Sequence, residues 1–311
     1  MTSSSSQAAA GAAEIRPSGL PQAVGAYGLW GLFPLYLMLV RHVPPLEFVG
    51  WRIIFTVPIC LAIVLLRRQV PDVVAALRAP RVLALLLLSA VLIGGNWLTY
   101  IFAIQTGHVF AASLGYYINP LVNVLAGTLF LGERMTRTQW IAVALATAGV
   151  SFLAWDARDM LGIALTLAVS FSAYGLVRKL APVGSLPGLT IETLLLLAPA
   201  AGVLAWLARQ PEGIHFGMGL GPDLLTACSG LVTAVPLLLF AVAARRMDYS
   251  TLGFVQFLAP TMVFLLGLFV FDEPLRQVQL VCFLLIWTAI AVFVWDLVAR
   301  HRRLAPIRPA A

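Results

Sequence analysis

Residues 109–133 read VFAASLGYYINPLVNVLAGTLFLGE, and residues 249–273 read YSTLGFVQFLAPTMVFLLGLFVFDE. Both are apolar runs long enough to cross a bilayer, each with a proline near its middle and a glutamate at its end. At a single offset of 140, Pro120 falls on Pro260, Gly127 on Gly267 and Glu133 on Glu273. The same offset carries Gln139 onto Gln279 and Trp155-Asp156 onto Trp295-Asp296. Apolar segments match one another easily, but polar and turn residues sharing one offset indicate an internal repeat.

The rest of the chain supports a membrane assignment. Of its 311 residues 61% are hydrophobic and 11% charged, where a soluble domain carries roughly 25% charged residues. A hydrocarbon core of ~30 Å needs about 20 apolar residues per helix. Stretches of that kind lie near 21–40, 46–66, 82–103, 109–131, 138–155, 161–177, 188–208, 223–243, 249–271 and 277–296. Each repeat therefore holds five spans, and an odd number forces the second copy to enter the membrane inverted. The expected fold is all-α and integral to the membrane: ten transmembrane helices as two inverted five-helix repeats (5+5). The first repeat occupies 21–156 and the second 161–298. Residues 1–20 are expected to form a polar N-terminal tail without signal-peptide order, and 299–311 a basic C-terminal tail.

Alternate loops hold Arg16; Arg67, Arg68, Arg78 and Arg81; Arg134 and Arg137; Arg178 and Lys179; Arg245 and Arg246; and Arg300, Arg302, Arg303 and Arg308. The intervening loops hold only Arg41, Arg158, Arg209 and Arg276. By the positive-inside rule both termini are cytoplasmic. This placement also accounts for the net charge of +7 without an acidic partner or nucleic acid. Cys60, Cys228 and Cys282 sit one each in separate apolar stretches, and the four histidines lack ligand spacing. Neither a disulfide frame nor a metal site is expected. No nucleotide-binding loop is present, and no cofactor is expected.

The informative residues are those that lipid disfavours. Pro120 removes a backbone N–H and so frees the carbonyl of Tyr116, while Asn119 before it is pushed from helical geometry. Tyr116, Asn119 and Asn123 share one helix face. Pro260 repeats the device and frees the carbonyl of Gln256. Interrupted helices at matching positions of two halves point to a transporter binding site; the competing account is two packing kinks whose amides bond neighbouring helices. Tyr116, Asn119, Asn123 and Gln256, with Asn96 in the third span, are the expected substrate-binding residues. Arg52 and Glu192, also 140 apart, are the charges inside spans. At 1.5 Å per residue each lies about 6–9 Å inside opposite faces of the core, too far apart to pair. They are expected to act in coupling or gating, with Glu192 as the proton-carrying carboxylate; the competing account has both reaching for headgroups. Glu133 and Glu273 are expected to be ordinary helix stops.

Several runs resemble the RarD branch of the EamA-type transporters, in the drug/metabolite transporter superfamily. They include Asn96-Trp97, Ala112 to Tyr116, Ile118-Asn119-Pro120-Leu121-Val122-Asn123, Leu131 to Arg134, Arg178 to Gly184, Thr190-Ile191-Glu192-Thr193 and Ser250 to Phe254. The resemblance spans about residues 22–298. It implies ten helices in two repeats, an inner-membrane location and a transport role, with Glu192, Asn119 and Asn123 as motif positions. Branch members usually carry His-Arg in the second span, where this chain has Trp51-Arg52.

The expected function is a secondary transporter that exports small metabolites or drug-like compounds, with a small-molecule substrate and the lipid bilayer as partners. Proton coupling and passive exchange are both compatible with this residue set. The alternatives are a small-solute channel and an integral membrane enzyme. The enzyme is disfavoured because no His, Asp or Glu cluster gathers for acid–base work.

Overall fold

The computed structural model describes residues 19–106, 108–156, 158–272 and 275–304, and all regular structure among them is helical. Residues 1–18 and 305–311, most of the two expected tails, lie outside the described residues, as does Glu273. In chain order the helices are α1 (Leu20–Leu39), α2 (Pro45–Leu66), α3 (Val70–Arg78), α4 (Pro80–Gln105), α5 (Val109–Phe130) and α6 (Arg137–Asp156). A short 3₁₀ turn, Arg158–Met160, leads into α7 (Leu161–Leu180), α8 (Ser185–Leu207), α9 (Leu220–Arg246), α10 (Tyr249–Gln256), α11 (Leu258–Phe269) and α12 (Gln277–Leu304). Among the described residues nine helical spans are long and apolar enough to cross a membrane, α10 and α11 counting together as one of them.

Two local features differ from the sequence expectations. The segment between α2 and α4, expected as loop, contains the nine-residue helix α3. It buries Val73 and Ala76 beside Leu86 and Ile191. The helix break expected at Pro120 does not occur: α5 runs unbroken through it. The proline still removes one ladder bond, but a helix in lipid has no water to turn to, so the remaining bonds hold it together. At Pro260 the break does occur. Phe257 separates α10 from α11, and its N–H reaches back three residues to the Phe254 carbonyl at 3.3 Å. The same chemistry thus has two outcomes, decided by the helices packed around each proline.

Lipid supplies no hydrophobic drive between helices, so close approach at small residues holds such bundles together. α1 packs on α9 and α11; α7 packs on α4 and α5; α2 pairs with α8, α5 with α10, and α6 with α12. A Cβ added at Gly253 would lie 2.7 Å from the Pro120 carbonyl oxygen, and one at Gly115 would lie 3.1 Å from that of Ala164. Backbone proximity requires the glycine at 253 and leaves little room for a larger residue at 115.

Positions 140 residues apart also share local detail. Gln139 accepts the Thr136 N–H at 3.0 Å, closing a capping box at the start of α6. Its counterpart Gln279 accepts the Arg276 N–H at 3.3 Å before α12.

The bundle has two distinct ends. At one, α1 begins beside the finish of α9, and Arg245 Nη1 donates to the carbonyls of Ala181 (2.8 Å) and Val183. Lys179 Nζ there caps the last turn of α9 through Ala244 (2.9 Å) and Met247 (2.6 Å). At the other end, the 208–219 loop folds onto the start of α2. His215 bonds Glu47 through its backbone N–H (2.8 Å) and Nδ1 (2.9 Å), and Phe216 lies 4.5 Å from Trp51.

Candidate functional site: a cavity inside the bundle

A cavity of about 240 Å³ lies between the middle of the bundle and the His215 end. Its wall is rich in aromatic side chains: Tyr27, Trp30 and Phe33 from α1, Trp97 and Tyr100 from α4, Tyr116 and Tyr117 from α5, and Phe171 from α7. Its polar groups are few. Arg52 enters from α2, Asn96 from α4, Asn119 from α5 and Gln256 from the α10–α11 break. Tyr116 is 53% exposed although it sits well inside the chain's helical body, because its ring faces this space.

Each polar group is held by a neighbouring helix. Asn96 Nδ2 donates to the Leu167 carbonyl and to Ser170 Oγ, both at 2.9 Å. Asn119 Nδ2 donates to the Ala168 carbonyl at 2.8 Å, leaving its buried Oδ1 without a partner among the described residues. One turn deeper, Asn123 Nδ2 donates to Gln256 Oε1 at 2.6 Å, and the Tyr27 hydroxyl reaches the same oxygen at 3.4 Å. Arg52 Nε donates to Thr233 Oγ1 at 3.0 Å, and the guanidinium carbon sits 4.4 Å from the Trp97 ring centre.

Below the cavity the bundle is shut. Phe240 packs between Phe171 (5.4 Å) and Tyr174 (6.0 Å), and Tyr174, Phe240 and Tyr249 are fully buried. The Tyr249 hydroxyl donates to the Ser172 carbonyl at 2.7 Å, tying α10 to α7. Beneath this layer Glu192 meets Arg178 at 3.4 Å, and both side chains are essentially inaccessible. Ser89 Oγ donates to the same Glu192 oxygen, and Arg178 Nη2 donates to the Ser185 carbonyl at 2.9 Å. Glu133, just past the end of α5, closes the neighbouring corner by accepting the N–H groups of Tyr249 (2.6 Å) and Ser250 (2.8 Å), which caps α10.

The structure thus gathers Tyr116, Asn119, Gln256, Asn96, Arg52 and Pro260 around one cavity. Asn123 touches it only through Gln256, and Pro120 is absent from its wall. Glu192 is elsewhere, and its partner corrects a sequence expectation. Arg178, counted there as a loop charge, is in the last turn of α7 and buried against Glu192. The signal for this was available, because a carboxylate within an apolar span needs a cation, and the α7–α8 hairpin brings Arg178 back beside it. Arg52 and Glu192 do not pair: Arg52 bonds Thr233, and Glu192 bonds Arg178 and Ser89. The aromatic wall includes tryptophans and phenols, but which of them face the cavity, such as Trp30, Trp97 and Phe171, is not readable from the sequence, because such residues are ordinary in apolar spans.

A multi-pass helical bundle with a small, aromatic-rich cavity closed at one end belongs to the class of membrane proteins that handle small solutes. The EamA-like transporter family model matches residues 18–155, the segment from α1 through α6. Protein RarD of Salmonella typhimurium is 44% identical over 286 residues, covering 92% of this chain and 97% of its own. An uncharacterized transporter of Pseudomonas aeruginosa is 43% identical over 280 residues, with 90% and 94% covered. A solved crystal structure superposes with a TM-score of 0.70 over 89% of this chain and 97% of its own; at 22% identity this likeness shows the fold alone. The chain belongs to the RarD branch of the EamA-like transporter family, within the drug/metabolite transporter superfamily. It is a membrane transporter of that superfamily, set in a lipid bilayer and acting on a small solute.

Proposed function

We propose that this protein is a secondary transporter that exports small metabolites or drug-like compounds by alternating access between two inverted repeats. The ten spans are α1, α2, α4, α5, α6, α7, α8, α9, the α10–α11 pair and α12, with both termini cytoplasmic and the protein in the inner membrane. The observation that carries this reading is a cavity set toward one end of the bundle and separated from the other by a buried aromatic and ionic layer. The helix packing supports the two-fold relation. A shift of five spans exchanges the α1–α9 pair with α7–α4 and the α1–α11 pair with α7–α5, and returns α2–α8, α5–α10 and α6–α12 to themselves. With cytoplasmic termini the sealed end faces the cytoplasm, which puts the cavity on the periplasmic side of that layer. A closed layer beneath the cavity also favours a carrier over a channel.

Substrate is held by Tyr116, Asn119, Asn96 and Gln256, with Asn123 fixing Gln256. Arg52 and Glu192 act in gating or coupling. Opening the cytoplasmic end separates Glu192 from Arg178 and exposes its carboxylate to water, where it exchanges a proton. Glu192→Gln should therefore flatten the pH dependence of transport in proteoliposomes, while the cavity still binds ligand. Unchanged pH dependence would remove Glu192 from coupling.

Untargeted profiling of cells and medium, with the protein intact, as Asn119→Ala, or absent, tests the export reading. A compound should accumulate outside only with the intact protein, with the variant present in the membrane at equal amount. Identical profiles in a host shown to make an exchangeable substrate would count against export.

A further inference from the structure

We propose that the cavity takes a small organic monoanion, a carboxylate on an aromatic or branched apolar body, and that Arg52 anchors it. This rests on the transporter reading and supplies its substrate class. The contacts to Thr233 and Trp97 fix the guanidinium in place but occupy only one of its N–H groups. Among the described residues Nη1 and Nη2 have no hydrogen-bond partner, and no Asp or Glu lines the cavity. The buried carboxylates are engaged elsewhere: Glu192 with Arg178, Glu47 with His215 and Trp51, and Asp296 with Thr136 and Arg300. A cation left unpaired in a low-dielectric space favours a ligand that neutralises it. A guanidinium also presents two parallel N–H groups that match a carboxylate.

The remaining wall sets the rest of the ligand. Tyr27, Trp30, Phe171 and Leu237 offer apolar surface to its body. The Asn96 and Asn119 amide N–H groups already donate to α7 carbonyls, so they do not compete for the anion. Among the described residues Asn119 Oδ1 is buried without a donor, which suits a hydroxyl substituent on the body. A volume of about 240 Å³ falls below the ~300–1,000 Å³ of drug-sized sites, which favours a small molecule. With a single cation in the wall, a dianion would bring a second charge that nothing neutralises. An inside-negative membrane potential favours outward movement of such an anion, in line with export.

The test uses the purified full-length protein and three probes sharing one body: 3-phenylpropanoate, its amide, and 3-phenylpropylamine. Indole-3-acetate and 3-methylbutanoate extend the carboxylate set. Binding is read from quenching of tryptophan fluorescence and from ligand-induced shifts in Tm. At least one carboxylate should bind, with the matched amide and amine weaker by about tenfold or more. Arg52→Gln should weaken the carboxylate by about the same factor and leave the amide unchanged. Arg52→Lys, which keeps the charge but loses the fork, should fall between. If Arg52→Gln does not fold, the carboxylate-to-amide ratio and Arg52→Lys decide. Equal binding of amide or amine, full binding in Arg52→Gln, or no carboxylate binding would each overturn the proposal. Proteoliposome counterflow separates the two readings. Carboxylate binding without counterflow keeps the anion site and overturns the carrier. Saturable counterflow of amide or amine but not carboxylate keeps the carrier and overturns the anion.

Discussion

Arg178→Met should destabilise the detergent-purified protein by about 3–5 kcal/mol, the usual effect of removing one partner from a buried ion pair. The substitution keeps most of the apolar stem but leaves Glu192, 2% exposed, without a cation and with neutral hydroxyls such as that of Ser89 beside it. The Ser185 carbonyl at the start of α8 also loses its donor. A buried pair is a weak source of stability when intact, because desolvation offsets the attraction, so removing both charges should be far milder. The double variant Arg178→Met/Glu192→Met should recover most of the loss. Gly188→Ala should damage the same pair without touching either charge, because its Cβ would overlap the Arg178 guanidinium. Thermal and denaturant unfolding of the four proteins measure this. A single variant within about 1 kcal/mol of the parent, the range of an exposed pair, would show that the charge is not desolvated.

Glu133→Ala should lower stability by about 2–3 kcal/mol, because one carboxylate accepts the two N–H groups at the start of α10. Helix starts leave backbone donors unpaired, and α10 has no side-chain cap of its own. Glu133 supplies that cap from beyond the end of α5, so it links the two halves of the chain as well as closing a helix. Glu133→Gln, with one accepting oxygen and a competing amide donor, should recover about half. The unfolding measurement is paired with hydrogen exchange at Tyr249 and Ser250, whose amides should lose protection in the Ala variant. Unaltered protection would mean that neighbouring groups satisfy these donors.

The sequence expectation that Glu133 is a helix stop was right about where α5 ends and silent about what the carboxylate holds. That pattern is general here. Lipid imposes helices and disfavours polar side chains within them, so the apolar runs, the paired prolines and most of the cavity's polar residues could be read directly. Features that depend on which helices meet could not. Pro120 and Pro260 have the same local chemistry, yet only the second breaks its helix, because neighbours decide whether the chain kinks or parts. Arg178 looked like a solvated loop charge because its burial depends on α8 returning beside α7. The helix α3 is short and flanked by arginines, a composition that equally describes a loop. Trp30, Trp97 and Phe171 are indistinguishable by type from aromatics that face lipid.

The two prolines also limit what side-chain scanning can detect. Pro120 has no N–H for the carbonyl of Tyr116, and Pro260 has none for that of Gln256, and both Tyr116 and Gln256 border the cavity. Two main-chain oxygens at positions 140 residues apart therefore lack their helical donors. Replacing Tyr116 or Gln256 by alanine leaves those oxygens in place, so an alanine series would underreport the polar character of this wall. The residues that control them are the prolines four positions on, and the atom to restore is a backbone hydrogen. Drift in side-chain identity at 116 and 256 among relatives is thus compatible with an unchanged pair of acceptors.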